Sequence, residues 1–451
     1  MGTSRSVGRE ALVVGSGMGG LVAARVLADH FERVTLLERD GTGSVEADHA
    51  RPGVPQGKHL HALLAGGHQA LDALLPGFVD DLEGAGAARL TVGLDIRVER
   101  PGFDPFPQRD LGFHSYGVTR PQLELCVRRR VAALDNVRIE HGCRVLAPVT
   151  ASDGKAIGGV QCQREGRTET RNADLVIDAS GTGELTLAAL RATGHPAVPE
   201  TTMGVDIAYS SAVFDIPDDA PQGWKGVLHL PDAPATSRSA LMFPVEGRRW
   251  MMALGGRHDE HPPGDEAGFR AFVASLRMPT LANAIARTPL VGRIDRFRFP
   301  ESRLRHFDRV ASFPRGLLPT GDAICRFNPV FGQGMTVAAL QGRALGQVLS
   351  ETLRGDNPVD TMWQPFFERV AGVVDAPWAF AAIPDFIFPL TVGERPADFE
   401  MSLRFGAAMT RATARHADIH KLAGEVQNLM RPRQALMVPH VLERIMAEMA
   451  G

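Results

Sequence analysis

Cysteine is scarce. The four thiols, Cys126, Cys143, Cys162 and Cys325, stand in 451 residues without C-x-x-C spacing, so neither a disulfide framework nor a thiolate zinc site organises this chain. No apolar run approaches the length of a bilayer span, so no integral membrane segment is expected. No secretory signal precedes the first strand pattern, and a reducing, cytoplasmic setting with ordinary core thiols is the expectation. Net charge is only −3, which gives no global basic field for nucleic acid or acidic membrane. Just four of the 49 basic residues are lysines, a trace of genome base composition more than of function. Residues 1–6, MGTSRS, fit the loose myristoylation pattern, but a strand pattern begins a few positions later and a chance match is expected. What remains is an ordinary globular composition, 44% apolar and 22% charged, long enough for two or three domains.

The most informative stretch is 11–38, ALVVGSGMGGLVAARVLADHFERVTLLE. A short apolar strand runs directly into Gly15-Ser16-Gly17-Met18-Gly19-Gly20, a helical pattern follows, and a second strand ends in Glu38. A G-x-G-x-x-G match alone is weak, but here it follows a strand, opens a helix and precedes an acid by about 20 positions, the context that makes it specific for a dinucleotide. Gly15 allows the tight turn, Gly17 lets backbone approach a pyrophosphate, and Gly20 lets helix and strand pack closely. The helix N-terminus offers unpaired N–H groups to phosphate. Glu38 can accept both hydroxyls of an adenosine ribose, which favours FAD or NAD over NADP.

Farther along, 51–61 (RPGVPQGKHLH) leads into a helical pattern at 62–75. His59, His61 and His68 lack a Cys or carboxylate at ligand spacing, so hydrogen-bonded or solvated histidines near a cofactor are expected, and no metal. Residues 86–117 read as short strands joined by Pro and Gly turns. A helix starts near Thr119, with Pro121 in its first turn and Leu123, Val127, Val131 and Leu134 as its buried stripe. Arg128–Arg130 reads as a solvated face, while Arg120 sits where a helix start also holds an anion. Residues 137–149, 157–163 and 174–178 read as strands of a meander returning to the main sheet. Asp178-Ala-Ser-Gly181 then falls at a carboxyl edge, where nucleotides bind in such folds; a capping Asp in a Gly-rich turn fits that residue equally. From about 201 the period changes to 2, with 240–245 and 249–254 as a hairpin around Glu246-Gly247, a helix at 265–276 and an alternating strand at 293–299. This predicts an antiparallel second domain.

The second informative stretch is 316–335, GLLPTGDAICRFNPVFGQGM: a short strand, Gly321-Asp322, then a loop through Pro329, Gly332, Gly334 and Met335 into a long helix. Beyond Gly355 the chain reads as helical and Pro-broken. If both Gly-rich edges share one sheet, they grip opposite ends of one long cofactor. Asp322 suits a polyol such as ribityl, and a helix N-terminus near 332–335 would stabilise the charge of a reduced flavin by about 0.5–2 kcal/mol. Nicotinamide makes no such demand, so the pair favours FAD.

GSGMGG with Glu38, Arg120 in its T-R-P-x-L-E-L setting, Asp178-Ala-Ser-Gly, Gly321-Asp-Ala and Pro329-Val-Phe-Gly-Gln-Gly-Met together resemble the group A flavin monooxygenases, with the p-hydroxybenzoate hydroxylase-like fold. RPGVPQGKHLHALL at 51–64 and the 377–389 segment resemble the epoxidases of polyether polyketide pathways, of the lasalocid and monensin type. The resemblance implies an α/β protein with a discontinuous Rossmann-like FAD domain, an antiparallel substrate sheet and a helical C-terminal region. It places FAD parts at 1–80, 118–200 and 299–355, substrate-domain parts at 81–117 and 201–298, and the helical region at 356–451. It further implies that Gly15, Gly17, Met18, Gly19 and Gly20 hold the pyrophosphate, Glu38 and Arg39 the adenosine end, Arg120 the phosphate or ribityl region, and Gly321 and Asp322 the ribityl chain. Pro329, Gly332, Gly334 and Met335 would flank the pyrimidine side of the flavin, and Lys58 and His59 its ring. The Asp178 motif departs from the family's usual Asp-Gly, which leaves its contacts open.

The implied activity is a cytoplasmic FAD monooxygenase of secondary metabolism. Reduced by NAD(P)H or a separate flavin reductase, it would form a C4a-hydroperoxide with O2 and pass one oxygen to a hydrophobic polyketide- or terpenoid-like molecule, free or carrier-bound, by alkene epoxidation. An aromatic hydroxylase, a redox-neutral [4+2] cyclase and a prenyl-type double-bond reductase are the alternatives. Epoxidation needs no protein base; phenol hydroxylation benefits from one, for which His229 and His258 are candidates by residue type only. Met242, Phe243, Phe297 and Phe327 are candidate pocket walls, with core packing the competing reading of each.

Overall fold

The computed structural model describes residues 6–42, 50–352 and 358–450; most of the myristoylation-like stretch, part of the loop after Glu38 and the Gly355 boundary lie outside these. Five parallel strands form the first sheet, in the order Leu317–Pro319, Leu175–Asp178, Gly8–Val14, Phe31–Leu37, Val137–Glu140. Their apolar centres (Leu12, Val13, Val34, Leu36, Val176 and Ile177) are almost fully buried, as strands covered on both faces require. The register sets Val14 opposite Leu37 and Asp178, and Asp178 opposite Pro319. The turns at Gly15, Glu38, Ala179 and Thr320 therefore share one carboxyl edge.

The expected meander separates. A turn through Gly142, at φ +67°, divides it so that Val137–Glu140 joins the parallel sheet as its edge. Cys143–Thr150, Ile157–Arg164 and Arg167–Asn172 form a sheet of their own. The helix Gly334–Thr352 packs on Met18–Ala28 at Gly342, where a Cβ would fall 2.1 Å from Val22 Cγ1.

The second large sheet has seven strands, ordered Cys325–Arg326, Leu290–Arg305, Glu200–Asp215, Arg249–Arg257, Ser239–Val245, Gly226–His229, Ile96–Glu99, all antiparallel but the last pair. One face packs Phe214, Met252 and Leu254 against Phe269, Phe272 and Val273 of the helix Glu266–Ala274. The other brings Ile207, Tyr209 and Phe299 against Phe386 and Phe399 of the C-terminal region. That region is helical, as expected, but Trp363–Asp385 continues through Pro377 and Pro384 instead of breaking there. Its apolar side, including Phe366, Phe367 and Val370, is held in the main core, and that burial outweighs the lost backbone hydrogen bonds. Among the described residues no helix is long and apolar enough to cross a membrane.

Candidate functional site

The first turn is built as its glycines require. Gly15 has φ +95°, and a Cβ there would press to 2.7 Å from the Ala179 carbonyl. At Gly20 a Cβ would lie 1.9 Å from the Gly15 carbonyl oxygen, so only glycine lets the helix start against its own turn. Gly17 is different: among the described residues, a Cβ there meets nothing beyond its own chain neighbours within 4 Å. Gly17 is the N-cap of Met18–Ala28 yet gives no side-chain cap, and no acid stands in the first turn. The helix start thus has room above Gly17 and no acid of its own first turn to meet its N–H groups. The side chain of Met18 is core; only its backbone is available to a ligand.

Thr320-Gly321-Asp322 meets this turn from the neighbouring strand end. A Cβ on Gly19 would lie 3.7 Å from Gly321 Cα, so segments about 300 positions apart touch. Gln341 of the long helix clamps the second turn, its Oε1 accepting from Gly321 N–H at 2.6 Å and the Thr320 hydroxyl at 3.0 Å. Asp322 is reachable by solvent yet crowded by protein, the setting of a cleft wall. That crowding raises its carboxyl above the ordinary value, with Arg326 and Arg120 opposing. Arg120 is buried at the start of Arg120–Ala132; its Nη2 donates to Glu124 at 3.2 Å while its Nε has no partner among the described residues. Gly334 likewise leaves room for a Cβ, and Gly334–Thr352 has no acid in its first turn. Pro329 is exposed, Gly332 stands at φ +63°, and the Met335 side chain is core.

Glu38 lies at the expected edge, but its carboxylate already has protein partners. It accepts from Ser16 N–H at 2.9 Å, the Ser16 hydroxyl at 2.6 Å, Asp40 N–H at 3.0 Å and Arg51 at 2.9 Å. Burial alone would raise its pKa; these donors and the Arg51 charge bring it down to about 2. Arg39 beside it is exposed.

Arg51 also reaches Asp40 and Glu124, and Arg128 donates to Glu124 and to the Ser16 carbonyl and hydroxyl. The solvated reading of Arg128 is therefore wrong: it is 5% exposed and holds the first turn from below. The i,i+4 series Arg120, Glu124, Arg128 was the signal for this network, since such spacing stacks alternating charges on one helix face.

Asp178 is resolved as a turn cap. One oxygen accepts from Ser180 N–H and hydroxyl and the other from Thr186 N–H and hydroxyl, at 2.6–3.1 Å. With both oxygens engaged and no exposure, it shapes the edge without facing a ligand.

His59 bonds through Nδ1 to the Ser211 hydroxyl at 2.8 Å and packs 5.7 Å from the Phe297 ring. Burial lowers its pKa to about 4; burial and then Arg120 lower His61 to about 3. Both imidazoles are neutral at pH 7. His68 bonds the His114 carbonyl, and Lys58 lies 3.6 Å from Asp295. Phe243 and Phe297 are half-buried. Met242 is a correction: fully buried with Trp250 and Phe269 on the helix-covered face, it is core. Phe327 is likewise packed in the main core. His229 sits buried against Glu99 at 2.9 Å, and His258 lies 3.4 Å from Asp206; neither is placed as a free base.

Together these groups fit an elongated ligand with an anionic middle: among the described residues there is open space over Gly17, two helix starts without an acid in the first turn, a buried guanidinium nitrogen without a partner, and a carboxylate without a donor. Residues 10–195 match a family described as FAD dependent oxidoreductase. Protein Rv3254 of Mycobacterium tuberculosis (strain ATCC 25618 / H37Rv) is 33% identical over 419 residues, covering 89% of this chain and 86% of that protein. Among solved structures, the flavin-dependent brominase Bmp2 aligns with TM-score 0.68 at 14% identity, over 98% of this chain and 100% of that one. The structure of pqsL, a probable FAD-dependent monooxygenase from Pseudomonas aeruginosa, aligns with TM-score 0.61 at 17% identity, over 85% and 98%. At those identities the structural likeness is one of fold. The chain belongs to the FAD-dependent oxidoreductases, in one family with Protein Rv3254.

Proposed function

We propose that this protein is an FAD monooxygenase that transfers one oxygen atom of O2 to a hydrophobic polyketide- or terpenoid-like molecule, with alkene epoxidation as the reaction. Bound FAD supplies the activated oxygen, and the chain supplies placement, charge and exclusion of water. The observation that carries the reading is the meeting of Gly19 with Gly321, which puts two Gly-rich turns, each leading to a helix start, on one edge. In this reading the Gly17–Gly20 backbone holds the pyrophosphate, Arg120 neutralises it or reaches the ribityl chain, Asp322 accepts from ribityl hydroxyls, and residues 329–335 flank the ring. Glu38 reaches an adenosine ribose only by sharing the carboxylate that Ser16 and Arg51 now use.

Epoxidation is favoured over arene hydroxylation by the neutral histidines. Side chains that titrate near 3 and 4 are weak bases at pH 7, whereas ring deprotonation needs a base matched to that pH. Phe243, Phe297 and the buried His59–Ser211 pair, on the sheet face opposite Met242, supply the apolar and polar contacts for a substrate.

The domain partition at 80, 117, 200, 298 and 355 belongs to the same reading, as do a cytoplasmic setting, NAD(P)H or a partner reductase as electron source, and a role in secondary metabolism. The test is purification, an absorption spectrum, and NAD(P)H-driven oxygen uptake with alkene-bearing substrates. Yellow protein that consumes oxygen stoichiometrically with epoxide supports the reading. Anaerobic conversion with oxidised flavin would select a redox-neutral cyclase, and colourless protein that refuses FAD would end the proposal.

A further inference from the structure

Asn328 is a buried side chain that ties two separate elements of the molecule to the loop entering the Gly334–Thr352 helix. It has no solvent exposure. Its Oδ1 accepts from the Tyr209 hydroxyl at 2.7 Å and from Val330 N–H at 3.1 Å, and its Nδ2 donates to Asp385 Oδ1 at 3.0 Å. Tyr209 belongs to the strand Glu200–Asp215 of the seven-stranded sheet, and Asp385 ends the helix Trp363–Asp385. Arg257, from the strand Arg249–Arg257, donates to the same Asp385 oxygen and stacks 4.6 Å from the Phe388 ring centroid. Asp385 is fully buried, and its Oδ2 has no partner among the described residues. Such a group costs stability and is not what packing alone would select.

Val330 packs against the cluster of Ile207, Tyr209 and Phe299, but few other hydrogen bonds hold the loop. Among the described residues its other hydrogen bonds before the helix are local, Phe331 N–H to the Asn328 carbonyl and Gly332 N–H to the Pro329 carbonyl. Gly332 and Gly334 add backbone freedom. The Gln333 Oε1 is buried without a partner among the described residues, so that side chain is no anchor to them through its oxygen.

We infer that Asn328 is a positioning residue that fixes the backbone of residues 329–334 against the bound cofactor, with Tyr209 and Asp385 as its anchors. The inference rests on the cofactor reading given above. It makes the substrate sheet and the C-terminal helix, through one amide, the elements that set the loop's place. Loop N–H groups near the flavin favour its reduced, anionic form, so a loosened loop lowers the flavin's midpoint potential.

The experiment compares wild-type protein with Tyr209→Phe, Asn328→Ala, Asn328→Asp, and the exchanged pair Asn328→Asp with Asp385→Asn. Each is loaded with FAD and measured for FAD affinity, visible spectrum and midpoint potential. Tyr209→Phe and Asn328→Ala are expected to bind FAD several-fold more weakly and to show more negative potentials. Asn328→Asp, which sets two carboxylates together, shifts further, and the exchanged pair, which restores a donor–acceptor contact, returns toward wild type. A loss of stability alone does not move the potential of flavin that stays bound. Variants that hold FAD at the wild-type potential and spectrum overturn the inference and leave the cofactor reading standing, as does an exchanged pair no better than Asn328→Asp. Wild-type protein that takes up no FAD overturns both.

Discussion

Asp322 carries an unusual combination: a carboxylate crowded by protein, with no protein donor among the described residues and two guanidinium groups close enough to oppose its raised pKa. A side chain so placed has nothing to lose inside the folded chain and one charge-assisted contact to lose with a ligand. Asp322→Ala is therefore expected to leave the apo protein's thermal midpoint unchanged while weakening FAD about 10- to 100-fold, the worth of a hydrogen bond to a charged group. Flavin titration with parallel melting of apo protein checks both halves. An unchanged affinity would remove Asp322 from the site.

His59 and His61 make the second argument at this scale. Both are held neutral, down to about 4 and 3, while the unfolded chain protonates them near 6.5. Their contribution is thus complete above pH 6.5 and is lost as pH falls toward 4. For His59 alone it reaches about 3 kcal/mol at most. Glu38, depressed to about 2, acts in the same direction below its ordinary value of 4.5. Urea unfolding near pH 7 and about pH 4.5 should show the drop, and His59→Gln should flatten it. A profile unchanged by that substitution would contradict the assignment.

Among elements, the first turn separates two jobs that one motif usually conflates. Gly17→Val places its Cβ where no described residue beyond the chain neighbours lies within 4 Å, so the chain is expected to fold normally and to lose FAD. Gly20→Ala drives a methyl to 1.9 Å from a backbone oxygen and should cost about 3 kcal/mol or more of stability before any cofactor is added. Paired measurements of apo melting and flavin content check this, and a Gly17→Val protein with full flavin would refute the placement.

The strand–turn–helix units at 11–38 and 316–335, the helix after Thr119 and the hairpin around Glu246 were legible because each is dictated by local period and turn chemistry. Three things were not. The parallel pairing of Ile96–Glu99 with Gly226–His229 joins strands 130 positions apart, and no local pattern records a partner. Met242 alternates with its neighbours in either reading, so sequence could not say which face a helix would cover. Arg128 looked solvated because a charged residue is buried only when its partners are present, and Ser16 and Glu124 reach it through the tertiary fold. The motifs thus marked the two Gly-rich turns of the proposed cofactor edge but not the ion network beneath it.

For the molecule as a whole, the consequence is cooperative. The proposed FAD contacts come from Gly15–Glu38 around the strands Gly8–Val14 and Phe31–Leu37, from Arg120 on a helix, and from Gly321 to Met335 between the end of the strand Leu317–Pro319 and the long helix. A ligand that touches all of these binds the folded chain and has no counterpart in the unfolded one. Mass action then stabilises the fold by about 2.7 kcal/mol when free FAD is 100 times its Kd. The thermal midpoint should climb steadily with FAD. ADP, which reaches only the Gly17 and Glu38 end, should raise it less at the same multiple of FAD's Kd, and Asp322→Ala should need correspondingly more FAD for the same climb. Scanning melts against FAD and ADP test this without knowledge of the substrate. Equal response to both ligands would mean that the Gly321–Met335 stretch does not touch the cofactor. A midpoint indifferent to FAD would mean that the two turns, although they meet, do not meet around it.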